Sequence, residues 1–92
     1  MRDAPLPDLF LYARAGCHLC DDARNALSAL FSERTAAGSP TPKVVERDIE
    51  TDPDWERAYH ASIPVVILGD RRLDLATSPA RLRRLLGDVL DA

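Results

Sequence analysis

Two cysteines, Cys17 and Cys20, are the only ones in the chain, and their C-x-x-C spacing constrains it more than any other feature. They follow the short apolar run Asp8-Leu9-Phe10-Leu11-Tyr12 and open a helical pattern. A strand that feeds a helix at a dithiol is a setting for sulfur chemistry. Unpaired backbone N–H groups and the positive end of the helix dipole meet there and favour an anion. The thiolate is the form of cysteine that attacks disulfides or binds metals. As a structural staple the pair is poor, because so small a loop restricts the unfolded chain little.

The chain has 92 residues, and residues 1–92 read as one domain around one core. With 46% hydrophobic and 29% charged residues, its composition is that of a globular protein. A net charge of -3 argues against nucleic acid as a partner, since phosphate recognition needs a basic surface. Arg71, Arg72, Arg81, Arg83 and Arg84 are a local exception, interleaved with Asp residues and expected on solvated faces. No run approaches the roughly 18 apolar residues of a membrane span. The start, Met1 to Asp8, has no apolar signal region, so a cytoplasmic location is expected. In such a reducing compartment a close cysteine pair is catalytic or metal-binding before it is structural.

Residues 1–7 read as a tail, and Asp8–Tyr12 as a buried strand. A helix follows over about His18–Arg34, with Ala23, Ala26, Leu27, Leu30 and Phe31 as its apolar stripe. Gly38, Pro40 and Pro42 make a loop before a second strand, Lys43–Ile49. Thr51 or Asp52 caps a second helix, with Pro53 near its first position and its end at about Tyr59 or Ala61. Trp55 and Tyr59, four apart on it, are expected to pack on the sheet. Ile63–Leu68 is the most strand-like segment; Gly69-Asp70 turns it into a partner strand, Arg71–Leu75. Ser78-Pro79 starts a last helix whose stripe is Leu82, Leu85, Leu86, Val89 and Leu90. The order β-α-β-α-β-β-α predicts an α/β fold: a mixed four-stranded sheet, with parallel pairing across the first crossover, flanked by helices. A C-x-x-C beside a βαβ unit in this layout indicates a thioredoxin-like fold.

In that fold Cys17 is the candidate nucleophile and Cys20, one turn on, the more buried resolving thiol. Together they form the redox-active disulfide. Arg14 in the preceding loop and His18 between the cysteines are cationic or polar neighbours for the Cys17 anion. Asp21 and Asp22 act against it. Leu19 is expected to pack or to meet substrate, and Gly16 to let the backbone turn. Pro64 starts the third strand and is expected to face the dithiol through a cis Ile63–Pro64 bond. That bond would turn the Ile63 backbone toward an extended substrate.

The segment Leu11-Tyr12-Ala13-Arg14-Ala15-Gly16-Cys17-His18-Leu19-Cys20-Asp21-Asp22, together with Ile63-Pro64-Val65-Val66, resembles the glutaredoxin-like branch of the thioredoxin superfamily. The stretch Glu46-Arg47-Asp48-Ile49 before Thr51-Asp52-Pro53 is similar in placement. The resemblance implies a thiol-disulfide oxidoreductase in which Cys17 attacks, Cys20 resolves and Pro64 is the cis proline. It also implies that Arg14 replaces the basic residue before the first cysteine. Glutaredoxins carry a proline and an aromatic residue after that cysteine, where this chain has His18 and Leu19. They carry a Gly-Gly pair and an Asp before the last helix, where it reads Leu73-Asp74-Leu75-Ala76-Thr77-Ser78-Pro79. The expected partners are a disulfide-bearing protein or glutathione, and a reducing donor, acting on a monomer. No cofactor is expected beyond glutathione as reductant, and no metal.

Two other readings compete. One is a thiolate metal site, zinc with His18 or His60 added, or an iron–sulfur cluster shared between chains. The other is a non-enzymatic binding or redox-sensor module on the same fold.

Overall fold

The computed structural model describes residues 5–91, so the expected tail lies outside it through residue 4. Strand β1 spans Leu9–Ala13, helix α1 His18–Ala36, β2 Val44–Asp48 and α2 Pro53–Tyr59. They are followed by β3 over Val65–Leu68, β4 over Arg71–Leu73 and α3 over Pro79–Leu90. The four strands form one sheet in the order β2-β1-β3-β4. β1 runs parallel to β2 and antiparallel to β3, and β4 closes antiparallel on β3. The α/β sandwich with a mixed sheet is the architecture expected from the element order.

The strand period of two divides β1 between two faces. Leu9, Leu11 and Ala13 point to one side and are fully buried. Val66 and Leu68 of β3, in register with Leu11 and Leu9, share that face. The helices α1 and α3 cover it with Ala23, Leu27, Leu30, Leu82, Leu85 and Leu86, all buried. Each such leucine contributes about 1.5–3 kcal/mol relative to exposure. The stripe expected for α1 is the face it buries, with Ala26 and Phe31 half-buried at its margin.

Phe10 and Tyr12 point to the other side, where α2 lies. Tyr12 meets Trp55 edge-on at 5.7 Å between ring centroids and Tyr59 at 4.3 Å. Both α2 aromatics therefore pack on the sheet. Arg47 of β2 threads this cluster, its guanidinium 4.3 Å from the Phe10 ring centre and 5.1 Å from that of Trp55. It also donates to the Tyr12 hydroxyl at 2.8 Å. A cation over aromatic faces keeps its charge and still covers apolar surface.

Several boundaries differ from the sequence reading: the first strand is Leu9–Ala13 and not Asp8–Tyr12, the second begins at Val44 and not Lys43, and three further ends have a clear local cause. The second strand stops at Asp48, because the Asp48 carboxylate accepts from the Glu50 N–H at 2.9 Å and starts a 3₁₀ turn over Ile49–Thr51. The third strand begins at Val65 and not Ile63, since Pro64 has no N–H and the Ile63 N–H is held by the Tyr59 carbonyl at 3.1 Å. The fourth strand ends at Leu73, because Leu75 takes a left-handed backbone with φ 48°. Among the described residues no helix is long and apolar enough to cross a membrane.

Candidate active site

β1 ends at Ala13 and the chain turns through Arg14-Ala15-Gly16 into α1. Gly16 has φ 73°, a conformation that leucine or valine would resist, so the turn needs glycine here. The turn sets Cys17 at the N-cap of α1, with extended backbone. Its sulfur accepts from the Cys20 N–H at 3.1 Å, and its carbonyl accepts from the Asp21 N–H at 3.1 Å. The sulfur thus occupies the place a serine or aspartate oxygen takes in an ordinary helix cap. It faces the positive end of a helix of 19 residues.

The two sulfurs are joined as a disulfide, with Cα atoms 5.2 Å apart. Their exposure is unequal. Cys20 is 0% exposed and belongs to the core with Ala23 and Ile63. Cys17 is half-buried and only packs against that core. Arg14, His18 and Leu19 are all exposed around the pair. Asp21 and Asp22 are exposed as well. Asp21 is drawn sideways by Arg24 at 2.6 Å, which also grips Glu46 at 2.6 Å. The Arg24 charge offsets that of Asp21, one of the two carboxylates that oppose a thiolate.

Register places Pro64 at the same end of the sheet. Tyr12 of β1 pairs with Val65 of β3, so Pro64 precedes β3 where β1 runs out into the dithiol turn. The Ile63–Pro64 bond is cis, and Pro64 is buried. The carbonyls on either side are engaged: Ser62 accepts from the Leu75 N–H at 2.9 Å and Pro64 from the Ala76 N–H at 2.8 Å. Between them, the Ile63 carbonyl accepts no backbone N–H among the described residues. Of the Ile63 backbone, expected to turn toward substrate, the N–H bonds to Tyr59, since the last carbonyl of α2 accepts from both the Ser62 and Ile63 amides. Of the Ile63 backbone groups, only the carbonyl is without a main-chain partner among the described residues.

One residue of this end was not singled out from the sequence. Leu75 has a positive φ and is 55% exposed, beside Ser62 and Pro64. A leucine in the left-handed region costs about 1–2 kcal/mol. Strain of this kind gathers at functional sites. Its sequence carries no signal, since leucine is a residue that avoids this conformation. Leu19 is 48% exposed, so large apolar side chains are exposed both within the dithiol turn and beside Pro64.

His60 lies elsewhere, exposed on the end of α2, with Nδ1 3.1 Å from the Glu56 carbonyl. Among the described residues no three His, Cys, Asp or Glu side chains gather as a metal site.

Known structures share this fold. The protein XcR50 from X. campestris is similar in its X-ray structure, with 32% identity and a TM-score of 0.71 over 87% of this chain and 96% of that one. Its solution structure is similar too, at a TM-score of 0.67 over 88% and 94%. Protein Ne2328 from Nitrosomonas europaea shares the fold at 19% identity, with a TM-score of 0.63 over 99% of this chain and 94% of that one. No curated protein matches the chain. The model of the Glutaredoxin-like domain (DUF836) matches residues 8–87, the dithiol, Pro64 and every strand included, and the chain belongs to that family.

Proposed function

We propose that the protein is a thiol-disulfide oxidoreductase that works through Cys17 and Cys20. The observation that carries this reading is their unequal placement. Cys17 is half-buried at a helix N-cap, and Cys20 is fully buried one turn behind it. An attacking thiol needs access and a stabilised anion, and a resolving thiol needs only to reach the first sulfur.

In the reduced protein the Cys17 thiolate receives the Cys20 N–H and the helix field. It attacks one sulfur of a substrate disulfide. A Cys17–substrate disulfide forms, and the other substrate sulfur leaves as a thiolate and takes a proton. Cys20 then loses its proton and attacks Cys17, releasing the second substrate thiol. The substrate gains two electrons and two protons, and the chain is left with the Cys17–Cys20 bond. An external thiol donor, with glutathione as the candidate, reverses that oxidation. The Ile63 carbonyl offers one main-chain hydrogen bond to an extended substrate. Leu19 and Leu75 supply apolar contact, and Arg14 and His18 supply polar contact. This rim favours a protein disulfide as the substrate. The cycle suits a monomer in a reducing compartment such as the cytoplasm.

Equilibration of the chain with glutathione buffers, followed by alkylation and mass measurement, tests the proposal. One reversible two-electron couple between about -270 and -120 mV is expected, the span of dithiol oxidoreductases. A Cys20→Ser variant should stop at a mixed disulfide on Cys17. A disulfide that resists reduction well below that span, or a variant that forms no adduct, defeats the reading.

A further inference from the structure

Between them, β4 and α3 enclose a surface hollow of about 240 Å³ that neither cysteine lines. Arg71, Arg72 and Leu73 line it from the strand, and Arg81, Arg84 and Leu85 from the helix. From the sequence these arginines are expected on solvated faces. The fold turns them toward one concavity, in a chain of net charge -3.

Their carboxylate partners do not balance them. Arg72 is held by Asp74 at 2.6 Å. Arg71 and Arg84 share a single oxygen of Asp88, at 3.4 and 4.0 Å. Arg81 has no carboxylate partner among the described residues. Three guanidinium groups therefore face one loosely placed carboxylate. Arg81 also stands in the first turn of α3, which holds no acidic residue. A cation there opposes the helix dipole, so the arrangement works against the stability of the empty protein.

We propose that this hollow binds a small phosphate-bearing anion through Arg71, Arg81 and Arg84. The excess of two positive charges matches a phosphate group, which carries about -1.5 to -2 at neutral pH. Guanidinium forks suit two phosphate oxygens at once. Leu73 and Leu85 give the hollow an apolar floor, which makes room for the organic part of a phosphate ester.

The test is titration of the oxidised full chain with inorganic pyrophosphate and, separately, phenyl phosphate at constant ionic strength, followed by backbone amide NMR shifts. Saturable shifts are expected at residues 71–73 and 81–85. Tighter binding of phenyl phosphate identifies an ester as the ligand, and tighter binding of pyrophosphate an inorganic anion. Arg81→Gln should weaken binding about tenfold or more, the effect of removing a charged hydrogen bond. Asp88→Asn should strengthen it by about threefold, because it frees Arg71 and Arg84 from an exposed pair. Shifts that do not saturate, or affinities unchanged in both variants, overturn the proposal. Disulfide exchange by these variants is a separate readout, because Cys17 and Cys20 are untouched.

Discussion

Serine substitutions at the two cysteines should have unequal costs, and the structure supplies the size of the difference. In reducing buffer Cys20→Ser places a hydroxyl where the thiol is 0% exposed, among Ala23, Ile63 and their neighbours. A buried hydroxyl without a good partner costs about 1–3 kcal/mol. Cys17→Ser is different. Cys17 is the N-cap of α1 and its sulfur already accepts from the Cys20 N–H. Serine is among the preferred N-cap residues, so this change should be near neutral. With a urea m-value of about 1–1.5 kcal/mol/M for a small domain, the two midpoints should differ by roughly 1–2 M. Without reductant both variants also lose the native disulfide. Its sequence separation is 3, so the closed loop contributes little by chain entropy, at most about 2 kcal/mol and equally for both. Urea unfolding followed by Trp55 fluorescence, with and without reductant, measures each part. Equal midpoints in reducing buffer, or a lower one for Cys17→Ser, would refute the burial asymmetry. The assignment of attacking and resolving thiols would fall with it.

Leu75→Gly should leave stability unchanged or raise it by up to about 1.5 kcal/mol. Relief of about 1–2 kcal/mol of left-handed strain outweighs about 0.5–1 kcal/mol of added unfolded-state freedom. Exchange with a protein disulfide should slow in the same variant, and a loss of stability above about 1 kcal/mol would contradict this account. The Tyr59 hydroxyl is pushed above the ordinary tyrosine range, chiefly by burial and next by Tyr12. The raised value means that its neutral form is favoured in the fold. Its contribution is complete below the ordinary tyrosine pKa and is lost as pH rises through the folded one. Tyrosinate absorbance should show a late component that Tyr59→Phe removes, and a single ordinary titration in the parent protein would exclude it. Asp52→Ala removes the side chain that accepts from the Asp54 N–H at 2.8 Å and caps α2. A loss of about 1 kcal/mol is expected by thermal unfolding, with altered Trp55 emission, and an unchanged midpoint would show that the cap does not hold α2.

Much of this molecule can be read from spacing. The stripe Ala23, Leu27 and Leu30 names the buried face of α1, and Leu82, Leu85 and Leu86 that of α3. Asp52-Pro53 and Ser78-Pro79 mark the starts of their helices. Capping, helix period and turn chemistry act over a few residues, which is why sequence carries them. Strand ends were less legible. β2 ends at Asp48, whose carboxylate accepts from Glu50, while Ile63 and the left-handed Leu75 stay outside the sheet, their amides bonded to Tyr59 and Ser62. Two of those partners are close in sequence, but the bond between Leu75 and Ser62 spans β3 and β4.

By itself, then, the order of amino acids determined the dithiol at a helix start, the α/β element order and the proline that precedes the third strand. Each rests on local preferences that hold wherever the segment lies. Tertiary structure alone decided what those pieces face. It buried Cys20 and left Cys17 half-buried. It tied the Ile63 amide to the Tyr59 carbonyl and left the Ile63 carbonyl without a backbone donor among the described residues. It forced Leu75 into a strained, exposed position beside Pro64, and it gathered Arg71, Arg81 and Arg84 around one hollow. These outcomes depend on which segments the sheet and helices bring together, and pairwise contact across distant sequence has no local signature.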